Sequence, residues 1–139
     1  LDGDAHLDLA VSSPSGEKVL ILLGSGVGTF TAVTPIDARV NPAPAAADEL
    51  AYPQMTELAD LDGDGVTDLA VVNPYSNSVK VYLGAGDGTF ALSQKVALAA
   101  GAQPKRLRLG QLDADGKFDL VVQHNPQTAP FLLSIYRGK

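Results

Sequence analysis

The sequence predicts an all-β fold built from stacked four-stranded antiparallel sheets. Three observations lead there. The chain of 139 residues holds 14 Gly and 9 Pro, a turn-rich balance that favours many short strands. Its apolar runs, Val19 to Leu23 and Leu69 to Val72, are strand-length and bounded by turn residues. The chain also repeats itself. Residues 1–30 laid over 61–90 agree at sixteen of thirty positions, which establishes a repeated supersecondary unit rather than one irregular domain.

The repeat fixes the order of elements. Leu1-Asp2-Gly3-Asp4 returns as Leu61-Asp62-Gly63-Asp64, Asp8-Leu9-Ala10-Val11 as Asp68-Leu69-Ala70-Val71, and Gly28-Thr29-Phe30 as Gly88-Thr89-Phe90. A third copy runs from Leu112-Asp113-Ala114-Asp115-Gly116 to Asp119-Leu120-Val121-Val122, and Pro53 and Pro104 each stand seven residues before their loop. In the complete copy, Met55 to Ala59 is the first strand, Asp68 to Asn73 the second, Ser78 to Leu83 the third and Gly88 to Val96 the fourth. Asn73 to Asn77 and Gly84 to Gly88 supply the turns.

The second strands and Val19 to Leu23 are continuously apolar, as expected of strands covered on both faces by neighbouring sheets. Sheets packed face to face around an axis meet that requirement, so the expected architecture is a set of β-propeller blades. Residues 1–47 form a blade lacking its first strand, 48–100 a complete blade and 101–139 a blade lacking its last strand, all in one propeller domain. Ten strands make about two and a half blades. Propellers close with about 4–8, so further blades from the same parent chain or from neighbouring subunits are expected. Pro42 to Asp48 and Ala97 to Gln103 read as connections between blades, and Phe30 and Phe90 as plugs between adjacent ones. The sequence begins inside a motif, so the reading expects a longer parent chain.

Ten of the sixteen acidic residues crowd into three loops: Asp2, Asp4, Asp8; Asp60, Asp62, Asp64, Asp68; and Asp113, Asp115, Asp119. Such crowding is self-repulsive unless a cation sits within it, and three divalent ions would cancel the formal charge of −6. In the loop from Asp60 to Asp68, carboxylates stand at positions 1, 3, 5 and 9. Val66 at position 7 offers its carbonyl, and Gly65 at position 6 permits the positive-φ turn that wraps the chain. An all-oxygen cage of this kind suits Ca²⁺ better than Mg²⁺, and there is no Cys or spare His for zinc. An EF-hand is excluded because position 12 is Val71 rather than a bidentate Glu.

The first loop offers Asp2, Asp4 and Asp8, with the carbonyl of His6 at position 7 and its imidazole facing solvent. Ala5 stands where Gly65 does, at a cost of about 1 kcal/mol if φ is positive there. The third offers Asp113, Asp115 and Asp119, the carbonyl of Lys117, and Gln111 as a neutral oxygen in place of the leading Asp. Up to three Ca²⁺ ions are therefore expected, one per loop.

Asp60-Leu61-Asp62-Gly63-Asp64-Gly65-Val66-Thr67-Asp68-Leu69, followed by Val81-Tyr82-Leu83-Gly84-Ala85-Gly86-Asp87-Gly88-Thr89-Phe90, resembles the FG-GAP/VCBS repeat family, which includes the propeller of integrin α subunits and many bacterial secreted proteins. The resemblance covers essentially the whole chain. It implies a seven-bladed propeller with calcium in the hairpin between the first and second strands of a blade. Ala5 and Gln111 depart from the pattern.

Other motifs give way to structural readings. The glycines of Leu23 to Gly28 and Leu83 to Gly88 have the wrong spacing for a dinucleotide loop, and a strand follows them. Asp113 and Asp115 belong to a repeated loop rather than a glycosidase pair. Ser12 and Ser13 have no His at repeat-related positions, and His124 lies in another unit. Lys105, Arg106 and Arg108 are too few for a nucleic-acid surface, and no apolar run approaches the roughly 20 residues of a membrane helix. Nucleic acid and membrane insertion are thus not expected. The leading expectation is a non-catalytic, calcium-stiffened interaction or adhesion module, extracellular in a secreted or cell-surface protein, that meets a protein or glycan ligand at a surface. Weak sites suffice outside cells, where calcium reaches about 10⁻⁴–10⁻³ M. Two alternatives stand beside it: a lectin-like propeller, with Tyr75 as its suspected ligand contact, and an accessory propeller of a secreted polysaccharide-active enzyme.

Overall fold

A computed structural model describes residues 1–39, 52–99, 101–124 and 133–136. Eleven strands occur among them: β1 (Leu9–Ser13), β2 (Lys18–Gly24), β3 (Phe30–Ala32), β4 (Ile36–Asp37), β5 (Met55–Ala59), β6 (Asp68–Asn73), β7 (Ser78–Gly84), β8 (Phe90–Ala97), β9 (Pro104–Gly110), β10 (Asp119–His124) and β11 (Leu133–Tyr136). They form three antiparallel sheets. The middle sheet has the order β5-β6-β7-β8, the third β11-β10-β9, and in the first both β3 and β4 pair with β2 beside β1. This is the all-β, blade-like architecture the repeat predicts. No helix of the described residues is long and apolar enough to cross a membrane.

The count of eleven strands rather than ten has a local cause. In the middle sheet the outer strand β8 pairs with β7 throughout, with a one-residue slip between Val81 and Tyr82. In the first sheet the register slips by one residue at the equivalent place, from Leu22↔Ala32 to Val19↔Ile36. Here Pro35 follows the slip. Lacking an N–H, it cannot extend the ladder, so the bulged strand divides into β3 and β4. The boundaries of β5 and β6 fall where the repeat and the turn residues placed them, whereas the expected fourth strand begins later, at Phe90, because residues 85–89 are spent on the glycine turn.

The sheets stack through two apolar layers. Leu69 and Val71 of β6 and Tyr82 of β7 meet Val19 and Ile21 of β2, with Phe90 packed against them. Ala70, Val72 and Val79 face the other way and meet Leu107, Leu120 and Val122 of the third sheet. Every residue of β6 is buried, as expected for a strand between two sheets. The same expectation fails for β2. Val19 and Ile21 are buried, but Leu20, Leu22 and Leu23 are only half-buried. Among the described residues a single neighbouring sheet covers it. Phe30, expected between blades, is exposed.

One polar group enters the first layer. Lys80, fully buried on β7, donates from Nζ to the carbonyl of Ala38 just after β4. Tyr82 beside it reaches the carbonyl of Asp37 at 3.5 Å; burial, with the Asp37 charge second, pushes its phenol up to about 12. Both bonds run from the middle sheet to the first. The connection at Pro42 to Asp48 lies outside the described residues. In Ala97 to Gln103, Leu98 enters the second core layer, and the Asn77 side chain accepts from the Gln103 N–H at 2.9 Å.

Candidate metal sites

The second and third acidic loops each join two strands and the first leads into β1; the last Asp of each is the first residue of the following strand or adjoins it. Three equivalent bonds set its position. The backbone nitrogens of Leu61 and Leu112 donate to Asp68 and Asp119 Oδ2 at 2.7 and 2.8 Å, and the Leu1 nitrogen donates to Asp8. The other oxygen of Asp68 accepts from Gly84 N at 2.9 Å, and that of Asp8 from Gly24 N at 2.8 Å. These carboxylates are therefore held where the third strand of the blade ends.

Within the loops the remaining aspartates fold the chain around themselves through Asx turns, in which a side-chain oxygen accepts from the N–H two residues on. Asp62 accepts from Asp64 N at 3.1 Å, and Asp64 from Val66 N at 2.7 Å. Asp60 uses both oxygens, on Gly63 N at 2.7 Å and Gly65 N at 2.9 Å. Gly63 and Gly65 take φ of 84° and 87°, the coil expected of the wrapping glycine. Ala5 takes φ 66° in the first loop, so the strain foreseen there is real.

The outcome differs between loops. Carboxylate oxygens of Asp60, Asp62 and Asp68 lie within 4.8 Å of one another, as do those of Asp2, Asp4 and Asp8. Asp64 falls outside the first of these groups, and Asp113, Asp115 and Asp119 are not drawn together to this extent among the described residues. Two unit charges at such a separation repel by about 1 kcal/mol in water and by about 3–4 kcal/mol at the effective dielectric near a protein surface. A hard divalent cation turns that repulsion into attraction, and the all-oxygen donor set fits Ca²⁺.

In the third loop the frame persists: Asp115 N donates to Asp113 at 3.2 Å and Lys117 N to Asp115 at 2.9 Å. The Gln111 amide nitrogen donates to the Gly116 carbonyl at 3.1 Å, which braces the loop. The His6 ring is exposed, as expected; its Nδ1 lies 2.8 Å from Asp4 Oδ2, and the ring covers Gly26. The His6 N–H, foremost, keeps the Asp4 carboxyl below its ordinary value.

Two features escaped the sequence reading. A Cβ on Gly84 would stand 2.2 Å from the Thr67 carbonyl oxygen, and one on Gly24 2.1 Å from that of Leu7. The end of the third strand thus presses against the acidic loop, and only glycine permits it. The repeated Leu-Gly pairs at 23–24 and 83–84 carried that signal. The second is the pairing of buried His124 Nε2 with Ser134 Oγ at 2.7 Å, visible only once β10 and β11 are in register. Ser12 and Ser13 lie on β1, in a different sheet from His124. The Gly-rich segments are tight turns, closed by Ser25 N to Thr29 O and Ala85 N to Thr89 O, both 3.0 Å.

Comparison with known proteins agrees with this geometry. The sequence profile of the FG-GAP-like repeat matches residues 60–122, which span the second loop and the third. No curated protein sequence matches the chain. Among solved structures, a propeller-like protein from Lactobacillus plantarum aligns with a TM-score of 0.61 at 18% identity, over 94% of this chain and 39% of that one. The chain therefore spans about two fifths of the length of that protein. At this identity the likeness establishes the fold alone.

Proposed function

We propose that this chain, with its FG-GAP-like repeat and propeller-type sheets, is a calcium-binding, non-catalytic interaction or adhesion module of a secreted or cell-surface protein. The observation that carries the reading is the convergence of Asp60, Asp62 and Asp68, repeated by Asp2, Asp4 and Asp8, at equivalent strand junctions. An ion held by these carboxylates neutralises the loop and ties the first strand of a blade to its second. The calcium is structural and leaves the outer turns to meet a protein or glycan surface. Calorimetric titration of the metal-stripped chain with CaCl₂, alongside melting curves with and without EDTA, tests this. Binding with a raised melting temperature is expected, because an ion that binds only the folded state stabilises it; no heat and superimposable curves refute it.

A second reading, glycan binding, has one observation in its favour. Tyr52 and Tyr75 place their rings 5.3 Å apart, and both are exposed, a surface on which a sugar ring could stack. A glycan array compared with the Tyr75→Ala variant decides it, since loss of a specific signal on substitution is required.

A further inference from the structure

At the edge opposite its acidic loop, the middle blade carries side chains that its sister units do not share. The backbone there follows the repeat: Leu98 N donates to the Asn77 carbonyl at 2.8 Å, and sixty positions earlier Ala38 N donates to that of Glu17 at 2.9 Å. The side chains depart from it. Asn73, Tyr75 and Asn77 stand where the first unit has Ser13, Ser15 and Glu17, and Tyr52 stands where the third has Gln103. Interactions that stack repeats recur from unit to unit. A group confined to one unit serves something else.

These side chains build a platform. Asn73, buried at the end of β6, accepts from Tyr52 N at 3.1 Å and clamps the segment entering the blade to the β6–β7 turn. Asn77 accepts from Gln103 N at 2.9 Å and clamps the departing segment to the same turn. The Tyr52 and Tyr75 rings are thereby set 5.3 Å apart with a tilt of 31°, yet they stay 39% and 65% exposed. Both faces of the middle sheet are already covered within the molecule, so this edge is open for its own reasons. Lys105 lies two residues beyond Gln103, at the start of β9; it is exposed and enters none of the ion pairs of the described residues. Tyr75 and Lys105 each stand two residues from the Asn77–Gln103 bond, a reach of at most about 7 Å on either side. An oligosaccharide spans both.

We propose that this edge binds an acidic glycan, with a sugar ring stacked on Tyr52 and Tyr75 and a uronate carboxylate on Lys105. The inference rests on the glycan reading and sharpens it from sugars in general to charged ones. Tyrosine rings offer an apolar face with a polar tip, which matches the C–H face and hydroxyl rim of a pyranose. A cation beside them forms a charge-assisted bond with a carboxylate and selects for it. The two asparagine clamps hold the platform in advance, which lowers the ordering cost of binding. The acidic loops do not oppose an anion here. The Asp60 to Asp68 loop closes the other end of β6, about 20 Å away along the strand, and screening at physiological salt acts over about 8 Å.

The test holds calcium fixed and pairs acidic glycans with their carboxyl-reduced forms on an array. Calorimetry then follows a glucuronate oligosaccharide and the neutral oligosaccharide of the same skeleton. The acidic form is expected to bind roughly fivefold tighter, the effect of one exposed ion pair, with a preference that shrinks as salt is added. Lys105→Ala should abolish the preference, and Tyr75→Ala should weaken both forms alike, each with an unchanged circular dichroism spectrum. Lys105→Gln replaces Lys105→Ala if that variant loses the folded spectrum. Equal affinity for the two forms overturns the inference and leaves the glycan reading standing. An acidic preference that survives loss of Lys105 also overturns it. Absence of binding to either form across the array overturns both.

Discussion

The second and third acidic loops share a frame and differ in what fills it. Both end in an aspartate that accepts from the leucine nitrogen seven residues earlier, and both coil through Asx turns. Their leading residues part them. Asp60 spans two backbone nitrogens and joins a cluster of three carboxylates, whereas the Gln111 amide bonds the Gly116 carbonyl. Position 1 thus decides how much negative charge the same backbone gathers: a third carboxylate in one loop, a neutral amide in the other.

The largest effect that would break this comparison lies at the shared anchor. Asp68→Ala removes a buried carboxylate and strands the Leu61 and Gly84 nitrogens. Unsatisfied donors cost about 1–3 kcal/mol each, so a loss of about 2–6 kcal/mol is expected by urea denaturation, together with weaker calcium binding in the titration. Gly84→Ala comes next. It forces a methyl against the Thr67 carbonyl, and overpacking of this kind costs about 1–3 kcal/mol; the same denaturation measures it, and a neutral result would mean that the strand end yields. Gln111→Asp sharpens the comparison from the other side. Restoring the leading carboxylate should tighten calcium binding at the third loop roughly tenfold, about 1.4 kcal/mol, read as an added or stronger step in calorimetry. Ala5→Gly relaxes the left-handed residue in the first loop and should raise stability by about 0.5–1 kcal/mol.

The mildest effect is in pH and concerns the third sheet. Burial, opposed by a bond to the Ala102 backbone, holds the His124 imidazole below its ordinary value of 6.5. The unfolded chain therefore takes up the proton first. Stability from the neutral ring is complete above about pH 6.5 and declines as pH falls toward the folded-state value. Acid should loosen β9 to β11 before the middle sheet, seen as earlier amide exchange there, and His124→Gln should flatten that dependence.

The layered fold was legible because the repeat aligned loops, turns and strands at once, and because short apolar runs bounded by turn residues place strands well. The middle loop was legible too: its carboxylate spacing and two glycines determine how the chain coils. What sequence could not deliver depended on partners distant along the chain. The half-burial of β2 follows from which sheets lie beside it, the division of β3 from β4 from a proline landing next to a bulge, and the Ser134–His124 pair from a register across a longer connection. The bond from the Gln111 amide to the Gly116 carbonyl was equally illegible, because an amide offers both a donor and an acceptor.

Near-identical sheets can dock on one another in many wrong orders, since each apolar face resembles the next. Lys80 limits that ambiguity. Its ammonium finds the Ala38 carbonyl only when the middle sheet follows the first in the observed register; stacked elsewhere, the charge would be entombed without that acceptor, at a penalty of several kcal/mol. The two joints of the molecule are therefore unlike in kind. At one the polar link, Arg108 to Glu57, lies at the exposed rim of an apolar layer; at the other a buried ammonium is keyed to one carbonyl, so that a polymer of look-alike units carries an instruction about which unit goes where.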